Sequence, residues 1–287
     1  MTNHQYLKDL KKAGLLKNIS ISSSKKSDNN KKPITIQKLP NRIPQKFHER
    51  DNIPKVSFDI NSFFDKIYVL NLDHRSDRMS SMKKKLHKNG ITNYCRFPAI
   101  NGNQKPHIDY WRNLKYFFDT PGAYGVLISA YFILIDALKN RYHQILILED
   151  DVIFHHDFTK LFNQKIRNIP PYWKLLFLGS SMHQWRFEQR CKILTDYMIP
   201  RGSIPGAFAL GIKCDSYLPL ITQIKKLNSS WDLGPIKYIN TLFPNQCFVL
   251  KPNLIIADTK DSDIRDGKDM STKCKDCGWS LENYDLT

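Results

Sequence analysis

Gln144-Ile145-Leu146-Ile147-Leu148-Glu149-Asp150-Asp151 is the most informative stretch of this 287-residue chain. The unbroken apolar run reads as a strand buried on both faces, because a strand covered on one face alternates apolar with polar residues. It runs straight into three carboxylates. In open α/β sheets, ligands bind beyond the carboxyl ends of the strands, so Glu149, Asp150 and Asp151 stand where a site is expected. Adjacent carboxylates repel unless a cation lies between them, and hard cations such as Mg²⁺ and Mn²⁺ take oxygen ligands and commonly bridge to phosphate. The cluster reads as a metal–diphosphate site. Solvated acids capping the next helix are the competing reading.

Working outward, Lys66-Ile67-Tyr68-Val69-Leu70-Asn71-Leu72 is a second buried strand. Met79, Met82 and Leu86 follow at helical spacing, with Asp77 near the start and Gly90 past the end, as helix termini prefer. Tyr94 to Ile100 reads as a strand and Ala123 to Leu138 as a buried helix. Downstream come a helical segment, Phe158 to Ile169, and a strand, Trp173 to Leu178, closed by Gly179. A strand over Ala207 to Ile212, a helix over Tyr217 to Leu227 and strands at Cys247 to Leu250 and Leu254 to Ala257 complete the series. Strands alternating with helices predict an α/β fold, a mixed or mostly parallel sheet with helices on both faces. Between the first strand and its helix lies Asn71-Leu72-Asp73-His74-Arg75-Ser76-Asp77-Arg78. Backbone N–H groups at a helix start attract phosphate, and the guanidinium forks of Arg75 and Arg78 suit phosphate oxygens. A capped surface helix with ordinary charges explains the same residues equally well.

Composition sets outer limits. With 41% hydrophobic, 12% aromatic and 25% charged residues, the chain is neither collagen-like, mucin-like nor wholly disordered. Its net charge of +17 favours an anionic partner. Residues 1–60 hold 13 Lys and Arg against five acids, so much of the basicity belongs to a leader. The chain divides into a basic, largely flexible tail (1–60), one folded α/β domain (61–265) and a C-terminal tail (266–287). The leader is either a contact for an anionic surface or a solvated linker. Met1 to Lys12 lacks the apolar core of a secretory signal. The longest charge-free apolar stretch, near Pro121 to Ile135, falls short of the roughly 20 apolar residues of a bilayer helix. The six Cys are mostly isolated and read as free thiols of a reducing compartment. A cytoplasmic location is therefore expected.

Several weaker signals dissolve on inspection. A P-loop ATPase needs G-x-x-x-x-G-K-[ST], and the lone Gly267-Lys268 is followed by Asp269. Asp150-Asp151, Asp196 and Lys251-Pro252 imitate a response-regulator receiver, but Ala209-Leu210-Gly211-Ile212 lacks its Ser or Thr. Cys274-Lys275-Asp276-Cys277 has zinc-ligand spacing but is half a site. His155-His156 reads as surface loop. The basic tail has no aromatic interleaving and no nucleic-acid-binding motif, so no specific nucleic-acid partner is expected.

In their order along the chain, these motifs resemble glycosyltransferase family 25. The resemblance rests on Ile67-Tyr68-Val69-Leu70-Asn71-Leu72 with Arg75, Asp77 and Arg78; on Phe97-Pro98-Ala99-Ile100-Asn101-Gly102; and on Gly122-Ala123-Tyr124-Gly125 leading to Ser129. Leu148-Glu149-Asp150-Asp151-Val152 matches the family's acidic motif almost letter for letter. Gly206-Ala207-Phe208-Ala209-Leu210, Asp232 and Ser262-Asp263-Ile264-Arg265 continue the series. Ser129 is followed by Ala130 where many members have His, and Ser180 to Arg201 matches poorly.

The resemblance implies a GT-A fold, a Rossmann-like mixed sheet flanked by helices. It implies a UDP-sugar donor, galactose or glucose, held through Mn²⁺ or Mg²⁺, and inverting transfer to a hydroxyl of a glycan or protein acceptor. In such a site Asp151 would bind the metal. Glu149 and Asp150 would contact metal or donor. Asn71, Leu72, Arg75 and Arg78 would shape the nucleotide pocket, with Ser129 on the helix beneath it. Asp232, and after it Asp263, are the expected catalytic bases; helix capping is the plainer reading of Asp232. A non-catalytic nucleotide- or carbohydrate-binding relative and a basic nucleic-acid-binding protein are the alternatives.

Overall fold

A computed structural model of the chain describes residues 59–181, 191–260, 263–265, 277 and 279–286. Most of the expected basic tail, together with Ser262 and Cys274, lies outside the described residues. The strands are β1 (Lys66–Asn71), β2 (Tyr94–Pro98), β3 (Gln144–Glu149), β4 (Val152–Phe154), β5 (Leu175–Gly179), β6 (Cys191–Ile193), β7 (Tyr197–Pro200), β8 (Ala209–Lys213), β9 (Cys247–Leu250) and β10 (Ile255–Ala257). The helices are α1 (Ile60–Phe63), α2 (Ser76–Lys88), α3 (His107–Leu114), α4 (Pro121–Lys139), α5 (Phe158–Lys165), α6 (Tyr217–Ile224) and α7 (Lys237–Leu242). Eight strands form one mixed sheet in the order β2-β1-β3-β8-β5-β9-β7-β6, and β4 pairs with β10 in a small second sheet.

The sheet is covered on both faces. Alternate residues of each central strand enter opposite cores. Tyr68, Leu70, Ile145, Ile147 and Leu210 pack with α4 and α6. Ile67, Val69, Leu146 and Leu148 pack with α2 and α5. Two-sided burial is why these strands read as continuous apolar runs. The expected α/β architecture with helices on both faces is therefore what the chain adopts.

The boundaries differ from the sequence reading in a few informative places. The segment expected as one helix over Phe158 to Ile169 tightens into a 3₁₀ turn at Ile166–Asn168. The helix expected to Leu227 ends at Ile224, and Leu227 adopts a φ of 50°. Sequence periodicity missed α3, α7, the π-type turn at Asp232–Ile236 and the β6–β7 hairpin. Each is too short to show a repeat. Asp196 sits in the hairpin turn and pairs with Lys165 and Asn168, away from the acidic cluster.

Helix α4 positions the site. Its 19 residues are long and apolar enough to cross a membrane by composition alone, longer than the stretch judged from sequence, but most of that length is buried in the core. Thr120 caps it by accepting from the Ala123 N–H at 3.1 Å, and Pro121 occupies its first turn. Gly122, Gly125 and Ser129 recur along one side. A Cβ at Gly125 would lie 2.3 Å from the Ile100 carbonyl oxygen, and one at Gly122 would lie 2.8 Å from Ile264 Cα. Ser129 is buried; its Oγ accepts from the Ile100 N–H (2.9 Å) and donates to the Gly125 carbonyl (2.7 Å). The Gly-x-x-Gly-x-x-x-Ser spacing thus clamps the helix against the turn after β2. Because the obstacle at Gly125 is backbone, Gly125→Ala should destabilise the fold by about 1–3 kcal/mol in urea unfolding.

Residues 279–286, expected within a tail, pack on the small sheet. Tyr284 is buried with Ile153 and Ile256 and bridges to His155. Trp279 Nε1 donates to the Ser180 carbonyl at 3.2 Å. Asp285 pairs with Lys88 (2.6 Å) and His156 (2.5 Å). Burial raises the Asp285 carboxyl's pKa, but Lys88 and His156 outweigh it and hold the group below its ordinary value. A depressed carboxyl contributes stability above the unfolded-state pKa and loses it as pH falls through the folded value. Both partners are more than half exposed, so the contribution is about 0.5–1 kcal/mol. Asp285→Ala should remove that much at pH 7 and progressively less as pH falls below the ordinary aspartate range in parallel melts.

Candidate active site

Topology gathers the chemistry at one edge of the sheet. Strands β1, β2 and β3 run parallel, and β8 runs antiparallel to β3. The carboxyl ends of β1 and β3 therefore meet the amino end of β8. Leu70 is in register with Glu149, Leu148 with Ala209, and the Glu149 N–H donates to the Phe208 carbonyl at 2.9 Å. The acidic run and the basic turn are brought together, as the sequence reading expected, and the Gly206 loop joins them.

Asn71 is the hinge between the acidic and basic parts. It is buried; its amide donates to Asp150 Oδ2 (2.6 Å) and the Arg75 carbonyl (2.9 Å), and its Oδ1 accepts from Arg96 Nε (2.7 Å). Arg75 stands at the N-cap of α2 and Arg78 in its first turn, one turn apart on one face. Arg78 Nη1 reaches Asp150 Oδ1 (3.1 Å), Asp151 Oδ2 (3.6 Å) and Asp263 Oδ2 (3.1 Å). Arg75 Nη1 donates to both oxygens of Asp263 at 2.8 Å, while its Nε and Nη2 hold Asp77. Asp263, separated from Arg75 by 188 residues, thus joins the cluster, with its oxygens taken by guanidinium donors.

Five carboxylates share this region: Glu149, Asp150, Asp151, Asp232 and Asp263. Arg75 and Arg78 neutralise only part of the charge. Burial lifts the Glu149 carboxyl well above its ordinary range, and Asp151, Asp232 and Asp150 lift it further. Burial likewise carries Asp151 to about 7 and Asp232 to about 6. Asp150 spends its oxygens on Asn71 and Arg78. Asp151 Oδ1 is buried with no hydrogen-bond partner. A hard divalent cation fits this set, since an orphaned carboxylate oxygen beside excess negative charge is what such an ion satisfies. Among the described residues no three His, Cys, Asp or Glu side chains converge as a ready-made cage.

Two clefts open beside the cluster and share Val126 and Ile264 as a partition. One, about 240 Å³, is lined by Leu72, His74, Asn101, Gly102 and Asp263. Ser129 also borders it, with its hydroxyl committed to backbone partners. The other, about 350 Å³, is lined by Glu149, Ser181, Gly206, Trp231 and Asp232. Asp232 opens the π-type turn and accepts from the Gly206 N–H at 2.9 Å. That contact bridges two loops and is not a cap on its own helix.

Residues missed from sequence complete the site. Arg96 orients the Asn71 amide and pairs with Asp73; a lone Arg in an apolar strand was its only signal. Lys85 Nζ donates to the Val152 carbonyl, and the Asp258 N–H donates to the Asp151 carbonyl, fixing the turn that carries the acids. Cys277 Sγ contacts the Ser181 carbonyl at 3.4 Å.

Comparison with known proteins agrees with the motif order. Residues 64–201 match glycosyltransferase family 25, described as LPS biosynthesis proteins. Over 126 residues the chain is 28% identical to an Acanthamoeba polyphaga mimivirus protein named as a glycosyltransferase, covering 41% of this chain and 38% of that protein. Over 137 residues it is 26% identical to human procollagen galactosyltransferase 2, covering 42% of this chain and 21% of that one. The chain therefore spans well under half the length of these relatives. Mannose-1-phosphate geranyltransferase from Thermus thermophilus superposes with a TM-score of 0.35 at 10% identity, over 64% of this chain and 72% of the other; so loose a likeness carries no weight. By its sequence, the segment 64–201, nearly half the chain and the part that holds the basic turn and the Glu149–Asp151 run, is similar to glycosyltransferase family 25.

Proposed function

We propose that the protein transfers a hexose, galactose or glucose, from a UDP-sugar to a hydroxyl of a glycan or protein acceptor, with inversion at the anomeric carbon. The observation that carries this reading is the orphaned Asp151 oxygen within an under-neutralised carboxylate cluster, set beside two arginines and two adjoining clefts. The Leu72–Asn101 cleft is suited to the nucleotide and the Trp231–Asp232 cleft to the sugar and acceptor. Mn²⁺ or Mg²⁺ would be held by Asp151, aided by Glu149 or Asp150, and supplies Lewis-acid neutralisation of the departing diphosphate.

The chain's own residues divide the remaining work. Arg75 and Arg78 present guanidinium donors for diphosphate oxygens. Asp232 takes the proton of the acceptor hydroxyl as that oxygen attacks the anomeric carbon. The bond to the diphosphate breaks and its electron pair leaves with the nucleotide. A carboxyl raised to about 6 by burial is better matched to this proton transfer near neutral pH than an ordinary aspartate. The Gly206 contact holds it in place. The partition at Val126 and Ile264 separates the nucleotide from the acceptor and limits water at the reacting carbon.

Two measurements test this reading. Nucleotide release from a panel of UDP-sugars should occur with one donor in Mn²⁺, stop in EDTA, and be lost in Asp151→Asn. Silence across the panel, with no UDP binding by calorimetry, would overturn the transferase reading in favour of a binding module. With acceptor supplied, Asp232→Asn should lower kcat by about 10²–10⁴-fold with donor KM unchanged. Because Asp232 must be ionised to act, wild-type kcat at saturating Mn²⁺ and donor should fall as pH drops below about 6. An unchanged rate in Asp232→Asn would remove it from the base role.

A further inference from the structure

We propose that Asp263 is an internal stand-in for the donor's diphosphate, occupying the anion site of Arg75 and Arg78 until a nucleotide diphosphate displaces it. The inference rests on reading the neighbouring cleft as a nucleotide site. Both Asp263 oxygens accept from Arg75 Nη1 at 2.8 Å, and Oδ2 lies 3.1 Å from Arg78 Nη1. All three side chains are largely shielded, at 16%, 12% and 27% exposure for Arg75, Arg78 and Asp263. The carboxylate comes from the far end of the chain and is delivered by a short 3₁₀ turn, Asp263–Arg265. Asp263, which lines the smaller cleft, therefore already occupies an acceptor position shared by the two guanidinium groups.

The exchange has a physical direction. A diphosphate offers more charge and more acceptor oxygens to the same donors than one carboxylate does. Arg75 and Arg78 cannot serve both in full, so nucleotide binding draws them from Asp263 in proportion to its advantage. Ile264, the next residue, packs over Gly122 and lines both clefts. Release of Asp263 would loosen the wall between the clefts as the donor arrives. Asp263 is in this account a regulatory residue and not a base.

The test is calorimetric titration with UDP in EDTA, which isolates the arginine contribution from that of any metal. Asp263→Asn keeps the size of the side chain and removes its charge. It should bind UDP about tenfold tighter than wild type, an advantage equivalent to one good charge-assisted contact. A second readout needs no variant. Hydrogen exchange at the Ile264 and Arg265 amides of the wild-type chain should quicken when UDP is added. Equal or weaker UDP binding by Asp263→Asn, or slower exchange at 264 and 265 with UDP, would overturn the inference while leaving the nucleotide site standing. Failure of both proteins to bind UDP in EDTA, with binding restored by Mn²⁺, would overturn this inference alone; failure in Mn²⁺ as well would overturn the nucleotide reading itself.

Discussion

The excess of carboxylate over cation at one sheet edge is the constraint on which the rest of this site depends. Glu149, Asp150, Asp151, Asp232 and Asp263 share this region, and Arg75 and Arg78 pair with Asp150, Asp151 and Asp263. Burying ionised carboxylates is costly unless each finds a partner. The cluster resolves this unevenly. Asp150 and Asp263 are satisfied by Asn71 and the arginines. Asp151, Glu149 and Asp232 are left with raised pKa values. A fold selected for stability alone would place apolar residues here. The imbalance is intelligible as preparation for added positive charge.

The scaffold holds that imbalance in place by burial elsewhere. Strand β3 is enclosed on both faces, so the acids at its end cannot swing out without disturbing two cores. The turn carrying them is tied by Lys85 to the Val152 carbonyl and by the Asp258 N–H to the Asp151 carbonyl. On the other side, Gly122, Gly125 and Ser129 let α4 press against the turn after β2 and against Ile264. The same close packing that supports the sheet sets the partition between the clefts. Stability and site geometry thus share residues.

Much of this was legible in the amino-acid sequence, and the reasons are local. Ile145 to Leu148 had to be a doubly buried strand, and a strand's carboxyl end is where α/β sheets place ligands. Arg75 and Arg78 sit at a helix start whose signals, Asp77 and Gly90, are chemical. What escaped was long-range. Nothing near Asp263 in sequence reveals that it meets Arg75 188 residues away. The Gly206–Asp232 contact joins two loops of irregular backbone. Ser129 was expected beneath the donor; the structure commits its hydroxyl to the backbone that shapes the pocket. Short elements such as β6, β7 and α7 carry too few residues for a period to emerge.

The central claim is that this cluster takes a divalent cation through Asp151. The most direct measurement is a manganese titration followed by the electron paramagnetic resonance signal of free Mn²⁺, with and without UDP. The account predicts one saturable Mn²⁺ per chain, held more tightly with UDP present and lost in Asp151→Asn. A free-ion signal that rises in proportion to added Mn²⁺ in the presence of UDP, with no saturable component, would contradict it.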